Sequence, residues 1–206
     1  MLRIGLTGGI ACGKTTVARM FGDLGCKLIN ADAVGHEVIR KPQPAYHEII
    51  EAFGSDVLGV DGEIDRPRLG RLVFSDREKL HRLNAIVHPR IFDRVEHYTR
   101  KMTEKDPEAI VVVEAALIFE AKGEGRFQKM VAAWCRSEQQ IERLQENPGL
   151  SAEDAERRVA SQMSSDEKRK RADYAIDCSG TLEATRRQVE EVYRQLSRLA
   201  KQPGAA

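Results

Sequence analysis

The pattern of apolar positions predicts alternating strands and helices from the first residues onward. Residues 2–7 form a short, mostly apolar run, which is typical of a buried strand. Residues 14–24 then place Val17, Met20 and Phe21 at intervals of three and four, which is the spacing of one helical face. The chain therefore opens with a strand that is followed by an amphipathic helix.

Four later apolar runs predict four more strands, at residues 26–30, 109–113, 129–134 and 174–177. The run 109–113 is continuous and rich in β-branched residues, as in a strand that is buried on both faces. Helical patterns lie between these strands and a closing helix is predicted at 182–199. The predicted fold class is therefore α/β, with a five-stranded parallel sheet flanked by helices.

Between the second and third strands the pattern predicts helices alone. Helices are expected at residues 33–40, 46–53, 66–74, 77–86 and 89–102. This stretch is interpreted as a helical insertion that could hold an acceptor molecule. The side chains in this stretch that could bind an anionic acceptor are Arg66, Arg68, Arg71, His88 and Arg90. Taken singly, each arginine is better explained as part of a solvated helix surface, but the set together favours an anion.

A second helical stretch follows the fourth strand. Ser137 is expected to cap a helix at 138–146, and Ser151, with Asp154 three residues later, is expected to cap a helix that runs to about residue 163. Basic residues are frequent here, so residues 137–171 are interpreted as a lid that expels water from a bound triphosphate. The alternative is a solvated surface hairpin.

Composition narrows the range of partners. The 206 residues carry a net charge of +1, so no overall field favours a nucleic acid or a membrane as partner. No apolar run approaches the length of a membrane span, and the N-terminus lacks the layout of a signal peptide. The cysteines Cys12, Cys26, Cys135 and Cys178 are scattered and show no metal-binding spacing. We therefore expect a cytoplasmic protein with reduced thiols.

The junction between the first strand and the first helix carries the chemistry. Residues 8–15 read GGIACGKT and match G-x-x-x-x-G-K-[ST], with a strand before the motif and a helix after it. Such a loop turns successive backbone N–H groups around a phosphate. Lys14 can reach the β- and γ-phosphate oxygens, and the Thr15 hydroxyl can ligate Mg²⁺. The residues predicted to bind a purine nucleoside triphosphate are Gly8, Gly9, Ile10, Ala11, Cys12, Gly13, Lys14, Thr15 and Thr16.

Three residues near the predicted strand ends allow functional interpretations. Asp32 follows the second strand, where a carboxylate would face bound phosphates, but it could equally cap the next helix. Glu114 ends the third strand at the position of a Walker B acid. Cys12 either fills a loop position as a small residue or is a reactive thiol at a helix N-terminus. If Cys12 is exposed, alkylation should impair ATP binding.

With these motifs in place, the chain resembles the dephospho-CoA kinase family along nearly its whole length. The Walker loop is generic, but the segment Leu83-Asn84-Ala85-Ile86-Val87-His88-Pro89 and the downstream series Gln162, Lys168 and 172–177 are specific to that family. Further matching segments are 5–10, 31–33, 64–66, 73–74, 116–120 and 140–144.

The resemblance implies a P-loop nucleotide kinase fold in three parts. These are a core at 1–32, 102–136 and 172–206, a helical acceptor domain at 33–101 and a helical lid at 137–171. It also implies transfer of the γ-phosphoryl group of ATP to the ribose 3′-hydroxyl of dephospho-CoA, with Mg²⁺ as cofactor. We expect a monomer or a small homo-oligomer.

The resemblance also assigns roles to individual residues. It implies catalytic roles for Lys14, Asp32 and Arg143. Asp32 would accept the proton of the attacking hydroxyl or orient that hydroxyl, and Arg143 would contact the phosphates from the lid. Thr7 matches a further nucleotide-site position, and Arg66 and His88 match positions in the acceptor domain. For Asp32 the resemblance therefore favours catalysis over capping.

The chain departs from the family pattern at a few positions. Asn147-Pro148 stands where members usually have Arg-Asp, which removes a second lid arginine. Cys178 replaces an asparagine whose amide would contact adenine, Ala116 replaces a proline, and Cys12 replaces a serine. These departures affect the lid and the base contacts rather than the expected reaction.

Two other functions are compatible with the motifs. A nucleoside or nucleoside monophosphate kinase would share the core and the lid and would differ in its acceptor. A nucleotide-binding sensor without catalysis is the alternative from another class, and the presence of both Lys14 and Asp32 argues against it. A GTPase is disfavoured because the sequence has no Asn-Lys-x-Asp segment.

Overall fold

The chain divides into two units in a computed structural model, which describes residues 1–104, 106–146 and 150–201. The first unit is formed by residues 1–30 together with the chain from residue 101 onward. The second unit is formed by Ala31–Arg100. The Asn147-Pro148 departure lies outside the described residues.

A parallel sheet of five strands organises the first unit. The strands are β1 (Leu2–Gly8), β2 (Lys27–Asn30), β3 (Ile110–Glu114), β4 (Lys129–Trp134) and β5 (Tyr174–Asp177). Their spatial order is β2-β3-β1-β4-β5, and every neighbouring pair is parallel. The predicted five-stranded parallel sheet is confirmed, and β1, which leads into the phosphate loop, lies at its centre.

The described residues also form nine α-helices, four of which belong wholly or mainly to the second unit. The helices are α1 (Lys14–Asp23), α2 (Ala31–Val38), α3 (Pro44–Phe53), α4 (Arg66–Phe74), α5 (Arg77–Glu104), α6 (Ser137–Gln145), α7 (Ala152–Ala160), α8 (Ser165–Arg171) and α9 (Leu182–Ala200). None of the helices in the described part of the chain combines the length and the apolar character that crossing a membrane requires.

The main core of the first unit lies between the sheet and helices α1 and α9. Every residue of β3 is buried, as its continuous apolar run predicts. Phe21 of α1 and Leu196 of α9 are fully buried in the same cluster as Val112 and Val131 of the sheet. Each such side chain contributes about 1.5–3 kcal/mol of burial free energy. This packing fixes the position from which the phosphate loop leaves β1.

The prediction of two helices at 77–86 and 89–102 is wrong, because a single helix, α5, runs through Pro89. A proline inside a helix costs about 3 kcal/mol, so its ring was expected to mark a boundary. The helix nevertheless continues past Pro89. The Arg90 guanidinium donates a hydrogen bond at 2.6 Å to the carbonyl of Ile86, four residues before it in the same helix. His88 therefore lies inside a helix rather than at a helix start.

Helix starts were predicted less well than strands. Helix α2 begins at Ala31, so Asp32 lies in its first turn and does not cap it. Ser137 is the first residue of α6 and is not its cap, which is Arg136 without a side-chain bond. By contrast, Ser151 does cap α7 and accepts from the Asp154 N–H at 3.1 Å.

Candidate active site

The phosphate loop between β1 and α1 depends on glycine at both ends. A Cβ on Gly8 would lie 2.5 Å from the Ala133 carbonyl oxygen of the neighbouring strand, which is too close for any other residue. Gly13 has φ +83°, a left-handed conformation that side chains disfavour. The two glycines thus allow the loop to pass close to β4 and then turn into α1.

A cavity of about 560 Å³ opens over this loop. Its volume lies in the range that holds small-molecule ligands. The wall includes most of the predicted nucleotide-binding residues, and the lining residues are Gly9, Ile10, Ala11, Cys12, Gly13, Lys14, Thr15, Thr16, Ala116, Arg143, Glu146 and Gln162.

Lys14 and Thr15 both contact Glu114, at the carboxyl end of β3. Lys14 Nζ lies 2.9 Å from Glu114 Oε1, and the Thr15 hydroxyl donates to the same oxygen at 2.7 Å. Asn30 Nδ2, at the end of β2, donates to the other carboxylate oxygen at 3.4 Å. Because Glu114 is only 5% exposed, its charge is held by these partners rather than by water.

The oxygen atoms of Thr15 and Glu114 fit a magnesium ion. A hydroxyl and a carboxylate are oxygen ligands of the kind that Mg²⁺ prefers, usually together with phosphate oxygens and water. Across 1–104, 106–146 and 150–201, no group of three or more His, Cys, Asp or Glu is arranged to hold a metal alone. The Thr15 hydroxyl and the Glu114 carboxylate are thus the oxygen ligands available to a metal ion at this position.

Thr7 and Lys168 fix the segment that follows β3. The Thr7 hydroxyl donates to the Ala116 carbonyl at 3.1 Å, and Lys168 Nζ donates to the same oxygen at 2.6 Å. Lys168 is 0% exposed and pairs with Glu120 at 2.9 Å. Ala116 lines the cavity, so these bonds shape one of its walls. Sequence reasoning gave Lys168 no role of its own, since it stands in a run of basic residues.

Arg143 joins the phosphate loop to the loop after β5. Its Nη1 donates to the Ala11 carbonyl at 3.1 Å, and its Nη2 donates to the Cys178 carbonyl at 2.7 Å. The guanidinium also lines the cavity. Its predicted contact with phosphates stays a prediction.

The side chain of Cys12, which is a residue of the phosphate loop, is buried rather than exposed. It is 0% exposed, and the Cys135 thiol donates to its sulfur at 3.4 Å. This hydrogen bond lowers the pKa of the Cys12 thiol to about 7, although burial acts in the opposite direction. The condition for impairment by alkylation, an exposed Cys12, is therefore not met.

The second unit carries the remaining predicted site residues. Asp32 lies in the first turn of α2, one turn before His36, and Arg66 is the first residue of α4. A cavity of about 410 Å³ is lined by His36, Ile39, Arg40, Glu63, Ile64 and Arg66. Burial lowers the pKa of His36, and the charge of Arg66 adds to this effect.

His88 does not line the cavity that contains Arg66. Its half-buried ring packs at an angle on Phe92, with 6.1 Å between ring centroids, and burial lowers its pKa. The structure thus places Arg66 in a cavity and His88 within the packing of a helix.

The central strand, the glycine-bounded loop and the lysine over a carboxylate define the class of this protein, which is a P-loop kinase. The same fold is found in the shikimate kinase of Acinetobacter baumannii, which is 18% identical with a TM-score of 0.51. Within this class the chain belongs to the dephospho-CoA kinase family, because the model of that family matches residues 2–184.

Individual relatives match nearly the whole chain. The dephospho-CoA kinase of Aquifex aeolicus is 41% identical and covers 96% of this chain and 99% of its own length. That of Moorella thermoacetica is 43% identical, with 96% and 93% covered. Among solved structures, a Thermus thermophilus protein is 32% identical with a TM-score of 0.79, covering 95% of this chain and 97% of its own. The dephospho-CoA kinase of Campylobacter jejuni is 25% identical with a TM-score of 0.61, with 95% and 97% covered.

Proposed function

We propose that this protein transfers the γ-phosphoryl group of ATP to the ribose 3′-hydroxyl of dephospho-CoA, giving CoA and ADP. The observation that carries the proposal is the dephospho-CoA kinase family match over residues 2–184, which includes the phosphate loop and its lysine. Phosphoryl transfer has a loose transition state, so catalysis requires mainly positioning and charge stabilisation. The chain offers groups suited to both tasks.

The nucleotide phosphates bind in the cavity over the phosphate loop. Backbone N–H groups and the N-terminus of α1 favour an anion there. Lys14 then exchanges its partner Glu114 for phosphate oxygens, which neutralises charge on the transferring group. The cavity and the 2.9 Å pair that keeps Lys14 beside the loop support this role.

Thr15 and Glu114 are proposed to hold Mg²⁺ together with the nucleotide. A bound Mg²⁺ supplies positive charge that draws the phosphate oxygens together. Thr15 offers its hydroxyl oxygen, and Glu114 offers a carboxylate that, with Lys14 moved to the phosphates, needs another cation. The 2.7 Å separation of their oxygen atoms supports a shared ligand.

Glu114→Gln tests the proposed metal role. Removing the charge while keeping the shape is expected to raise the Mg²⁺ concentration for half-maximal activity by about 10–100-fold. Glu146→Gln is the matched control, since Glu146 is an acid that lines the same cavity. Initial rates measured over a magnesium titration at saturating ATP give the comparison. An unchanged magnesium requirement in Glu114→Gln would remove Glu114 from the site.

Asp32 is proposed to orient the acceptor hydroxyl and to take its proton. The start of α2 at Ala31 leaves no capping role for Asp32 and so supports the catalytic interpretation. Arg66 is proposed to bind the anionic part of the acceptor, which its place in the 410 Å³ cavity supports. The predicted acceptor role of His88 stays a prediction without support from that cavity.

Arg143 is proposed to stabilise charge on the γ-phosphoryl group. Arg143→Ala is expected to lower kcat by about 100-fold, which is the cost of removing one such donor, and to raise the KM for ATP less. Arg143→Lys, which keeps the charge but not the forked geometry, should recover part of kcat. Steady-state kinetics with ATP as the varied substrate separate the two constants. A rise in KM with unchanged kcat would contradict a transition-state role.

The proposed partners and cellular compartment of the protein follow from the same activity. Its partners are ATP and dephospho-CoA, and we propose that it works in the cytoplasm. Four free cysteines, all buried, are consistent with a reducing compartment. A monomer or small homo-oligomer, without a nucleic-acid partner, stays a prediction.

A panel of acceptors tests the proposed activity against its rivals. ADP release by the wild-type protein is coupled to NADH oxidation, with dephospho-CoA, adenosine, AMP and shikimate offered in turn. We expect kcat/KM for dephospho-CoA to exceed the others by at least about 10⁴-fold, as in sites that reject analogues lacking a required group. Preference for adenosine or AMP would instead indicate a nucleoside or nucleotide kinase. No ADP release with any acceptor would favour a nucleotide sensor.

A further inference from the structure

The phosphate loop contains a residue in an unfavourable conformation. Ala11 has φ +60°, which places an alanine in the left-handed region that normally suits glycine. Such a conformation costs free energy and persists only where the surroundings hold it. Neither the motif G-x-x-x-x-G-K-[ST] nor the packing of α1 explains what holds this part of the loop.

Side chains from outside the loop bind three backbone polar groups of Ile10 and Ala11, namely both polar groups of Ile10 and the carbonyl of Ala11. Gln140 Nε2 donates to the Ile10 carbonyl at 2.6 Å, and the Ile10 N–H donates to Gln162 Oε1 at 3.0 Å. Arg143 Nη1 donates to the Ala11 carbonyl at 3.1 Å. The two glutamines thus bind both polar groups of Ile10, directly before the strained residue.

The two glutamines reach the loop from separate elements. Gln140 lies in α6, whereas Gln162 lies in the link between α7 and α8. Gln140 is only 3% exposed, so its amide is not free to turn to water. A Cβ on Gly9 would lie 2.5 Å from Gln140 Nε2, so glycine at position 9 leaves the space that this amide occupies. Loop and helix are therefore shaped to fit each other.

We propose that Gln140 and Gln162 are positioning residues that hold the Ile10–Ala11 segment in the form that binds phosphate. The loop N–H groups must converge before the nucleotide arrives, because ordering them on binding would cost affinity. The inference rests on the proposed nucleotide site. It makes nucleotide affinity depend on α6 and on the link between α7 and α8, whose glutamines contact the loop backbone.

Methionine variants remove the hydrogen bonds while keeping the length of the side chain. Gln140→Met and Gln162→Met are each expected to weaken ADP binding by about tenfold, which corresponds to one lost hydrogen bond and the strain it offsets. Gln139→Met is the matched control, because Gln139 is on the same helix but donates to the Ser179 carbonyl. The affinity of Gln139→Met for ADP should differ from that of the wild type by less than about twofold. Equal losses in all three variants would overturn the proposal.

The strain at Ala11 provides a second test, which distinguishes positioning of the loop by Gln140 from a purely structural role of that residue. Glycine adopts the left-handed conformation without penalty, so in an Ala11→Gly background the loss caused by Gln140→Met should shrink from about tenfold to threefold or less. Isothermal calorimetry with ADP on the four proteins of this cycle gives the values. An undiminished tenfold loss in the glycine background would contradict the proposed mechanism.

An NMR measurement that requires no nucleotide tests the loop contact independently of the proposed function. The ¹H–¹⁵N resonance of Ile10 reports its bond to Gln162. Gln162→Glu keeps an acceptor oxygen and should leave the peak downfield, whereas Gln162→Met should move it upfield. If the wild-type protein does not bind ADP, the proposed function is contradicted. The comparison of Gln162→Glu with Gln162→Met still tests whether Gln162 binds the Ile10 N–H. A peak that stays in place in Gln162→Met would overturn the inference.

Discussion

Lys14→Ala is expected to lower kcat/KM for MgATP by about 10²–10³-fold, which is the loss typical of removing a preorganised charge from a reacting oxygen. The ammonium lies in the nucleotide cavity and is the proposed counter-charge of the transferring group. Its removal should reduce kcat as well as nucleotide affinity, because the charge on the γ-phosphoryl group is greatest during transfer. Stopped-flow measurement of single turnovers with labelled ATP gives the chemical step directly.

A second variant distinguishes lost chemistry from lost stability. Lys14→Ala leaves Glu114, 5% exposed, without its ammonium partner, which destabilises the fold. The double variant Lys14→Ala/Glu114→Gln removes both charges and should recover melting temperature but not activity. Recovery of activity in the double variant would show that the lysine serves the fold rather than the reaction.

Asp32→Asn is expected to lower kcat by about 10²–10⁴-fold, the usual contribution of a positioned proton acceptor, with little change in the KM for ATP. Asparagine keeps the shape and hydrogen-bonding reach of the side chain but cannot take the proton of the acceptor hydroxyl. The variant should fold, since a first-turn carboxylate contributes only about 0.3–1 kcal/mol to its helix. Initial rates with dephospho-CoA as the varied substrate provide the test.

Glu78→Gln controls for the helix effect. Glu78 is an exposed acid in the first turn of α5, so its replacement removes a comparable helix-terminus charge in the same unit. Turnover of Glu78→Gln should equal that of the wild type. Near-normal turnover of Asp32→Asn would contradict the role assigned to Asp32.

The strands could be predicted from the sequence because each is a local apolar run. β4 and β5 have the predicted bounds, since their runs are bordered by polar turn residues. Helix boundaries depend on weaker local preferences that tertiary structure overrides. Pro89 was expected to end a helix, but α5 continues past it, and Ser137 begins α6 instead of capping it.

The site was predictable where a local motif carries the chemistry and not where distant residues meet. The loop at 8–15 and the carboxylate at the end of β3 follow from the spacing of residues along the chain. The contacts of Gln140 and Gln162 with Ile10 join positions 130 and 152 residues apart. The family resemblance includes Lys168, but no local pattern shows that its side chain is completely buried whereas the basic residues that follow it are exposed.

Identification of the product tests the central claim most directly. The wild-type protein is incubated with MgATP and dephospho-CoA, and the products are separated and examined by ³¹P NMR. The account predicts one equivalent of ADP for each new phosphomonoester, with the phosphate on the ribose 3′ oxygen so that the product is CoA. ADP and inorganic phosphate beside unchanged dephospho-CoA, or phosphate on any other oxygen, would contradict it.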